Sequence, residues 1–314
     1  MENKHLLGIK GMSKEQIEAI LDRATYWADR PKQQADILQD RFVANLFFEP
    51  STRTRCSFEV AEKRLGAHVL NFAAESSSTT KGETIYDTIR TLESMGVEAA
   101  VIRTSQNGLF DELKDKVSMH LVNAGEGTDE HPTQCLLDLL TIKRQFGKIA
   151  GLRIAIIGDL RHSRVLGSHL HALPTLGAEL VLAGPPSMMR PAEDLPTGVR
   201  VVGIDEAIQS ADVVMMLRVQ LERHNEALFS SQEEYHQAYG LTLAREKMMK
   251  KDAVIMHPAP FNRGVEIDSA LVECERSLIF TQVSNGVAVR MAVLEGLMNG
   301  GVKTWEPFLK TASF

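Results

Sequence analysis

The feature that most constrains this chain is a repeated alternation. Short runs of consecutive apolar residues are each followed by a longer stretch whose apolar residues fall three or four apart. Phe42-Val43-Ala44-Asn45-Leu46-Phe47-Phe48 is such a run, apolar on both faces as a strand covered from both sides must be. Residues 99–103 and 119–123 share that character, and helical periods occupy 83–94 and 133–145. Strands alternating with helices build parallel sheets, because a crossover helix returns the chain to the same end. The second half repeats the plan, with strands predicted at 153–157, 180–183, 213–217 and 253–256 and a helix at 163–176. The expectation is an α/β protein of two domains, each a mainly parallel sheet flanked by helices, with the natural boundary at 146–151.

Helix boundaries are legible in places. Ser13-Lys14-Glu15-Gln16 reads as a capping box, followed by Ile17, Ile20, Leu21, Ala24 and Trp27 at helical spacing. Residues 279–298 read as a long terminal helix with Val283, Val287, Met291 and Leu294 on one stripe, a candidate to pack back on the first domain. A length of 314 residues suits about two domains. The net charge of −6 disfavours wrapping a polyphosphate, so no nucleic-acid partner is expected. The first ten residues carry no apolar leader, and no apolar run approaches the ~18 residues a membrane span needs. Cys56, Cys135 and Cys274 are far apart and odd in number, which fits a reducing cytoplasm rather than a disulfide framework. His169 and His171 lack metal-ligand spacing, and no metal is expected.

Several segments carry chemistry. Ser51-Thr52-Arg53-Thr54-Arg55 lies where a strand ends and a helix begins, where free N–H groups and the helix dipole favour an anion. A lone Ser-Thr pair there is an ordinary N-cap. Two guanidiniums beside three hydroxyls shift the reading to phosphate. His131-Pro132-Thr133-Gln134 opens another helix after a Gly-rich loop, and Ser76 to Glu83 is a donor-rich loop holding the single cation Lys81. Gly158-Asp159-Leu160-Arg161-His162-Ser163-Arg164 is a strand-to-helix turn without the Gly-x-Gly-x-x-Gly fingerprint, so a dinucleotide is disfavoured and Arg164 suits a carboxylate. Arg218 and Gln220 lie just past a strand end, where open α/β sheets bind ligands. Met256-His257-Pro258-Ala259-Pro260 ends a strand in a turn that can present backbone carbonyls. Met215 and Met216 read as core.

Taken together, Phe47 to Arg55, Lys81-Gly82-Glu83-Thr84, His131 to Gln134, Gly158 to Arg164, Arg218-Val219-Gln220-Leu221-Glu222-Arg223, His257 to Pro260 and Asn285-Gly286-Val287 resemble the aspartate carbamoyltransferase family. The resemblance covers nearly the whole chain. The first and third motifs are shared with ornithine carbamoyltransferases. The Arg-x-Gln-x-x-Arg and His-Pro-x-Pro segments favour aspartate, since the His-Cys-Leu-Pro and Asp-x-x-x-Ser-Met-Gly segments typical of ornithine enzymes are missing. Thr80, where some members carry a second lysine, and Cys56, in place of a larger apolar residue, depart from the pattern.

The resemblance implies a transcarbamoylase fold, with a carbamoyl-phosphate domain over 1–147 plus 285–314 and an aspartate domain over 148–284. It implies that Ser51, Thr52, Arg53 and Thr54 hold the phosphate, and that Thr54, Arg103 and His131 polarise the carbamoyl oxygen. Gln134 and the Pro258 carbonyl, in the turn continued by Ala259 and Pro260, would orient the carbamoyl amine. Ser77 and Lys81 would enter from the adjacent subunit of a homotrimer, and Arg164, Arg218 and Gln220 would grip aspartate. Glu49 would pair with Arg164 and Arg223 on closure. No cofactor is implied, and a regulatory or dihydroorotase-type partner is left open. The rival readings are a transcarbamoylase for ornithine or a related amino acid, and a non-catalytic α/β assembly partner. The second would be expected to lack Arg53, His131 or Lys81, and all three are present.

Overall fold

A computed structural model of the chain describes residues 4–73, 83–219 and 231–299. The chain divides into two compact units, one formed by residues up to Leu140 together with those from Ser284 onward, the other by Thr141–Val283.

The first unit opens with α1 (Lys14–Ala28), whose N-terminus is the expected capping box: Ser13 Oγ accepts from the Gln16 amide and Gln16 Oε1 accepts from the Ser13 amide. There follow β1 (Phe42–Phe47), α2 (Thr52–Arg64), β2 (His68–Ala73), α3 (Ile85–Ser94), β3 (Ala99–Thr104), α4 (Leu109–Leu113), β4 (His120–Glu126) and α5 (Pro132–Phe146). The four strands form one parallel sheet in the order β2-β1-β3-β4. Ala44, Leu46, Ala100, Ile102 and Leu121 bury one face of it with Ile89, Leu92 and Phe110.

The second unit holds β5 (Arg153–Ile157), α6 (Arg164–Thr175), β6 (Glu179–Ala183), β7 (Arg200–Val201), α7 (Ile204–Ser210), β8 (Val213–Met216), α8 (Gln232–Tyr239), α9 (Leu243–Glu246) and β9 (Val254–Met256). Its parallel sheet runs β7-β6-β5-β8-β9. The chain crosses between units inside α5 and again inside the last helix, α10 (Ile279–Met298). Among the described residues no helix is long and apolar enough to cross a membrane.

Ser51 stands at the N-cap of α2 and its side chain makes no capping bond, consistent with setting the ordinary N-cap aside. Two expectations need correction. The α10 stripe is not a stripe: Val283 is exposed and Val287 half-buried, whereas every residue from Ala288 to Met298 is buried. A helix enclosed on all sides has no single apolar face to reveal. Strand β2 was not anticipated, because His68 and Asn71 interrupt its apolar run at the edge of the sheet.

The end of α10 does pack back on the first unit. Glu295 accepts two bonds from Arg23 (2.7 and 2.6 Å) and one from Trp27 Nε1 (2.9 Å), all from α1.

A buried polar group lies under α2. Asn45 Nδ2 donates to Glu62 Oε2 (2.8 Å) and to Asn71 Oδ1 (3.2 Å), and Glu62 is fully buried. Burial pushes the Glu62 carboxyl from 4.5 up to about 8, with the Asn45 bond opposing. A carboxyl raised on folding favours the native state fully below its unfolded value, and that contribution is lost as pH rises through the native one. The stability advantage of Glu62→Gln over the parent should therefore grow between pH 4.5 and 8, by up to about 1.4 kcal/mol per pH unit. Urea unfolding of both proteins across that range measures it, and a constant difference would contradict the assignment.

Candidate active site

In an open parallel sheet, ligands bind at the carboxyl ends of strands where successive connections leave in opposite directions. In the first sheet that point lies between β1 and β3, since β1 leads through α2 to one neighbour while α3 brings the chain back to the other. Glu49 and the Ser51–Thr54 segment leave the end of β1, Arg103 stands near the end of β3, and His131 follows β4. A register shift between Ile102 and Thr104 interrupts the β3–β4 ladder at Arg103, the kind of irregularity that re-aims a side chain. Arg103 Nε lies 3.4 Å from Glu49 Oε2, and its Nη1 donates to the Ala124 carbonyl at 3.3 Å.

Pro132 opens α5, where its missing N–H costs nothing. The His131 carbonyl accepts from the amides of Gln134 and Cys135, both at 3.1 Å, and the ring is buried. Glu130 fixes the preceding loop by accepting from the amides of Ile9 (2.7 Å) and Lys10 (3.1 Å). One turn into α5, Gln134 Nε2 donates to Asp138 Oδ1 at 2.9 Å. The Gln134 Oε1, Thr54 Oγ1 and Thr133 Oγ1 atoms are buried with no hydrogen-bond partner among the described residues. Buried polar atoms left so are uncommon in a folded protein, and these are groups with which a bound molecule could pair.

The electrostatics of this edge are unusual. Burial pushes the Arg53 guanidinium down to about 10, opposed by the charge of Asp138. Burial also pushes Arg290, on α10, down to about 9. There the like charges of Arg53 and Arg103 add to the effect and Asp138 again opposes it. Arg290 Nη1 donates to Ser57 Oγ and to the Gly286 carbonyl, both at 2.9 Å, and its guanidinium stacks 4.8 Å from the Phe58 ring centre. A Cβ at Gly286 would stand 2.6 Å from that nitrogen, so the glycine makes the room. Three guanidiniums against the carboxylates of Asp138 and Glu49 suit an anion.

In the second unit the corresponding point lies between β5 and β8. Asp159 is fully buried and accepts from the His162 amide at 3.3 Å. Ser163 caps α6 by accepting from the Leu166 amide, and Arg164 is the buried first residue of that helix. Arg190 holds this turn by donating to the carbonyls of Leu160 (3.2 Å) and Ser163 (2.9 Å). Arg218, half-buried, follows β8. After β9 the turn Pro258-Ala259-Pro260 contains a cis Ala259–Pro260 bond. His257 Nδ1 accepts from the Ala259 amide at 2.9 Å, which leaves the ring proton on Nε2, 3.4 Å from Glu266 Oε1. Gln282 Oε1 accepts from the His257 amide at 2.9 Å.

Ser51, Thr52, Arg53, Thr54, Arg103, His131 and Gln134 thus gather at the carboxyl edge of one sheet, and Arg164, Arg218, Pro258, Ala259 and Pro260 at that of the other. Ser77, Lys81 and Gln220, with Glu222 and Arg223, lie outside the described residues. Asp138, Arg290 and Glu266 were not anticipated. For the first two a signal existed: each is a lone charge in a helical stretch otherwise nearly all apolar, Cys135 to Leu140 and Val287 to Leu294.

Two family models match the chain. The carbamoyl-P binding domain of aspartate/ornithine carbamoyltransferase covers residues 4–144, and the Asp/Orn binding domain covers 150–297. Among solved structures, Trypanosoma cruzi aspartate transcarbamoylase in complex with N-(phosphonacetyl)-L-aspartic acid matches with a TM-score of 0.83 and 32% identity, over 94% of this chain and 95% of that one. The same enzyme with carbamoyl aspartate and phosphate gives 0.82 and 33%, over 94% and 95%. Ornithine carbamoyltransferase from Thermus thermophilus gives 0.83 and 27%, over 94% and 98%.

Gly158 links β5 to the second site under tight constraint. Its φ is +132°, and a Cβ there would stand 2.8 Å from the Leu217 carbonyl oxygen. Gly158→Ala is expected to destabilise the protein by about 2 kcal/mol or more, from backbone strain and overpacking together. The urea midpoint measures it, and an unchanged midpoint would contradict the close approach.

Proposed function

Because the chain belongs to the aspartate/ornithine carbamoyltransferase family, we propose that it transfers the carbamoyl group of carbamoyl phosphate to the amine of L-aspartate. The products are N-carbamoyl-L-aspartate and phosphate, an early committed step of pyrimidine biosynthesis. The observation that carries the carbamoyl-phosphate half of the reading is the cluster of Arg53, Arg103 and Arg290, with Asp138 acting on the first and last, a concentration of positive charge in a chain of net charge −6. The choice of aspartate rests on Arg164 and Arg218.

In this reading the first unit takes carbamoyl phosphate. Ser51, Thr52, Arg53 and Thr54 hold the phosphate at the start of α2, whose first-turn amides Ser51 leaves uncapped. The amine attacks the carbamoyl carbon and negative charge develops on the carbonyl oxygen, where Thr54, Arg103 and His131 stabilise it. Such donors are each worth about 3–4 kcal/mol of transition-state energy. The C–N bond forms, the C–O bond to phosphate breaks, and the proton lost by the amine goes to the departing phosphate. Gln134 and the Pro258 carbonyl orient the carbamoyl amine. The second unit takes aspartate, with Arg164, Arg218 and Gln220 on its carboxylates. The enzyme works in the cytoplasm as a homotrimer in which Ser77 and Lys81 complete the neighbour's site.

Ornithine is the second reading, supported by the 0.83 TM-score to an ornithine enzyme. Two arginines at the second sheet favour a dicarboxylate acceptor over a cationic one. Phosphate release from carbamoyl phosphate, measured with L-aspartate, with L-ornithine and with neither, decides between them. Release is expected with aspartate alone, and release with ornithine alone would overturn the choice. His131→Ala should lower kcat about 10²-fold with the fold intact, and near-normal turnover would remove His131 from its role. Mixing inactive Lys81→Ala chains with inactive Arg53→Ala chains should restore part of the activity. No recovery despite demonstrated subunit exchange would argue against shared sites.

A further inference from the structure

A carboxylate can only accept hydrogen bonds, whereas a carboxamide both donates and accepts. Asp138 and Gln134 stand one helical turn apart on α5, and Gln134 Nε2 meets Asp138 Oδ1 at 2.9 Å. Both side chains are buried, Asp138 completely, so neither can turn to solvent. Two positive charges face the carboxylate from other elements, Arg53 on α2 and Arg290 on α10. On its own helix its charge also acts on Cys135, which feels Glu130 of the preceding loop as well. Turning the Gln134 amide over would set its oxygen against that carboxylate, which electrostatics forbid. The carboxamide therefore has one orientation, with Oε1 directed away from Asp138. That oxygen is buried and has no partner among the described residues.

We propose that Asp138 is a positioning residue that sets substrate specificity: by holding Gln134 in this orientation it presents an acceptor that requires an N–H on the bound acyl phosphate. The proposal rests on the assignment of carbamoyl phosphate to the first unit. It distinguishes carbamoyl phosphate, whose NH2 can donate to Gln134 Oε1, from acetyl phosphate, which has the same shape with a methyl group in that place. A site built around a substrate N–H rejects an analogue that lacks it, because its own buried acceptor is then left unpaired.

Asp138→Asn keeps the size of the side chain and removes the constraint, since an asparagine can accept from or donate to either face of the Gln134 amide. The test compares KM and kcat for carbamoyl phosphate with the competitive Ki of acetyl phosphate, in the parent and in the variant, with L-aspartate as acceptor. The expected result is a loss of about tenfold or more in kcat/KM for carbamoyl phosphate, with the acetyl phosphate Ki within twofold of the parent. An equal loss for both compounds would mean a purely structural role, and no loss for either would mean no role; each overturns the proposal. The exchange Gln134→Glu with Asp138→Asn restores a donor at 138 and an oxygen acceptor at 134. It should recover at least part of the lost kcat/KM, as a general packing role would not. It also supplies a second protein should the single variant fold poorly, and an exchange no better than Asp138→Asn counts against the proposal. Parent enzyme that releases no phosphate with aspartate would refute the functional assignment itself. An active parent with an indifferent Asp138→Asn refutes only the specificity device.

Discussion

Three guanidiniums drawn into one weakly solvated edge repel one another, and that repulsion is what the first unit is organised to contain. Charge pairs at a few ångströms interact far more strongly away from water, and a buried charge without a counter-charge is strongly destabilising. Asp138 faces both Arg53 and Arg290, while Glu49 meets Arg103 from the end of β1. The three arginines come from α2, β3 and α10, elements separated by most of the chain. The site therefore cannot be complete until the last helix has returned. This gives a chemical reason for the first unit to be discontinuous in sequence, with α10 tied to α1 through Glu295, Arg23 and Trp27. The same return places Gly286 and Arg290 against Ser57, and Arg290 against Phe58, on α2.

What was legible in the sequence followed from local rules. The Ser13–Gln16 capping box, the apolar run of β1 and the period of α5 each encode their structure within a few residues. Arg53, Arg164 and Arg218 were singled out by a similar local rule, since polar groups just past strand ends have few purposes in such a sheet, whereas Arg103, inside its strand, and the role of His131 came only from the family resemblance. What escaped depends on partners remote in the chain. Asp138 and Arg290 stand out only as lone charges in apolar helical stretches, and what they face is not legible until the 151 intervening positions are folded away. Strand β2 escaped because Asn71, polar and inside the strand, is there to meet Asn45 in the neighbouring register. The α10 stripe failed for a related reason: a helix buried on every side carries no amphipathic signal.

Backbone similarity alone does not choose the acceptor. The aspartate and ornithine enzymes superpose on this chain with the same TM-score of 0.83, although identity differs, 32% against 27%. Two parallel sheets with crevices at their carboxyl ends accommodate either chemistry, because the fold fixes where ligands bind and leaves their charge to the side chains there. Under the proposed assignment the side chains at the first sheet would serve a reactant common to both enzymes, and so would carry no information on the acceptor. The second sheet is where the two reactions must part. There the chain offers Arg164 at the start of α6, in a turn braced by Arg190, and Arg218 after β8. A side chain ending in an ammonium would meet like charge at both, whereas a dicarboxylate meets two donors of matching geometry. The choice of aspartate thus rests on a few charges at one sheet edge, and the rest of the architecture is indifferent to it.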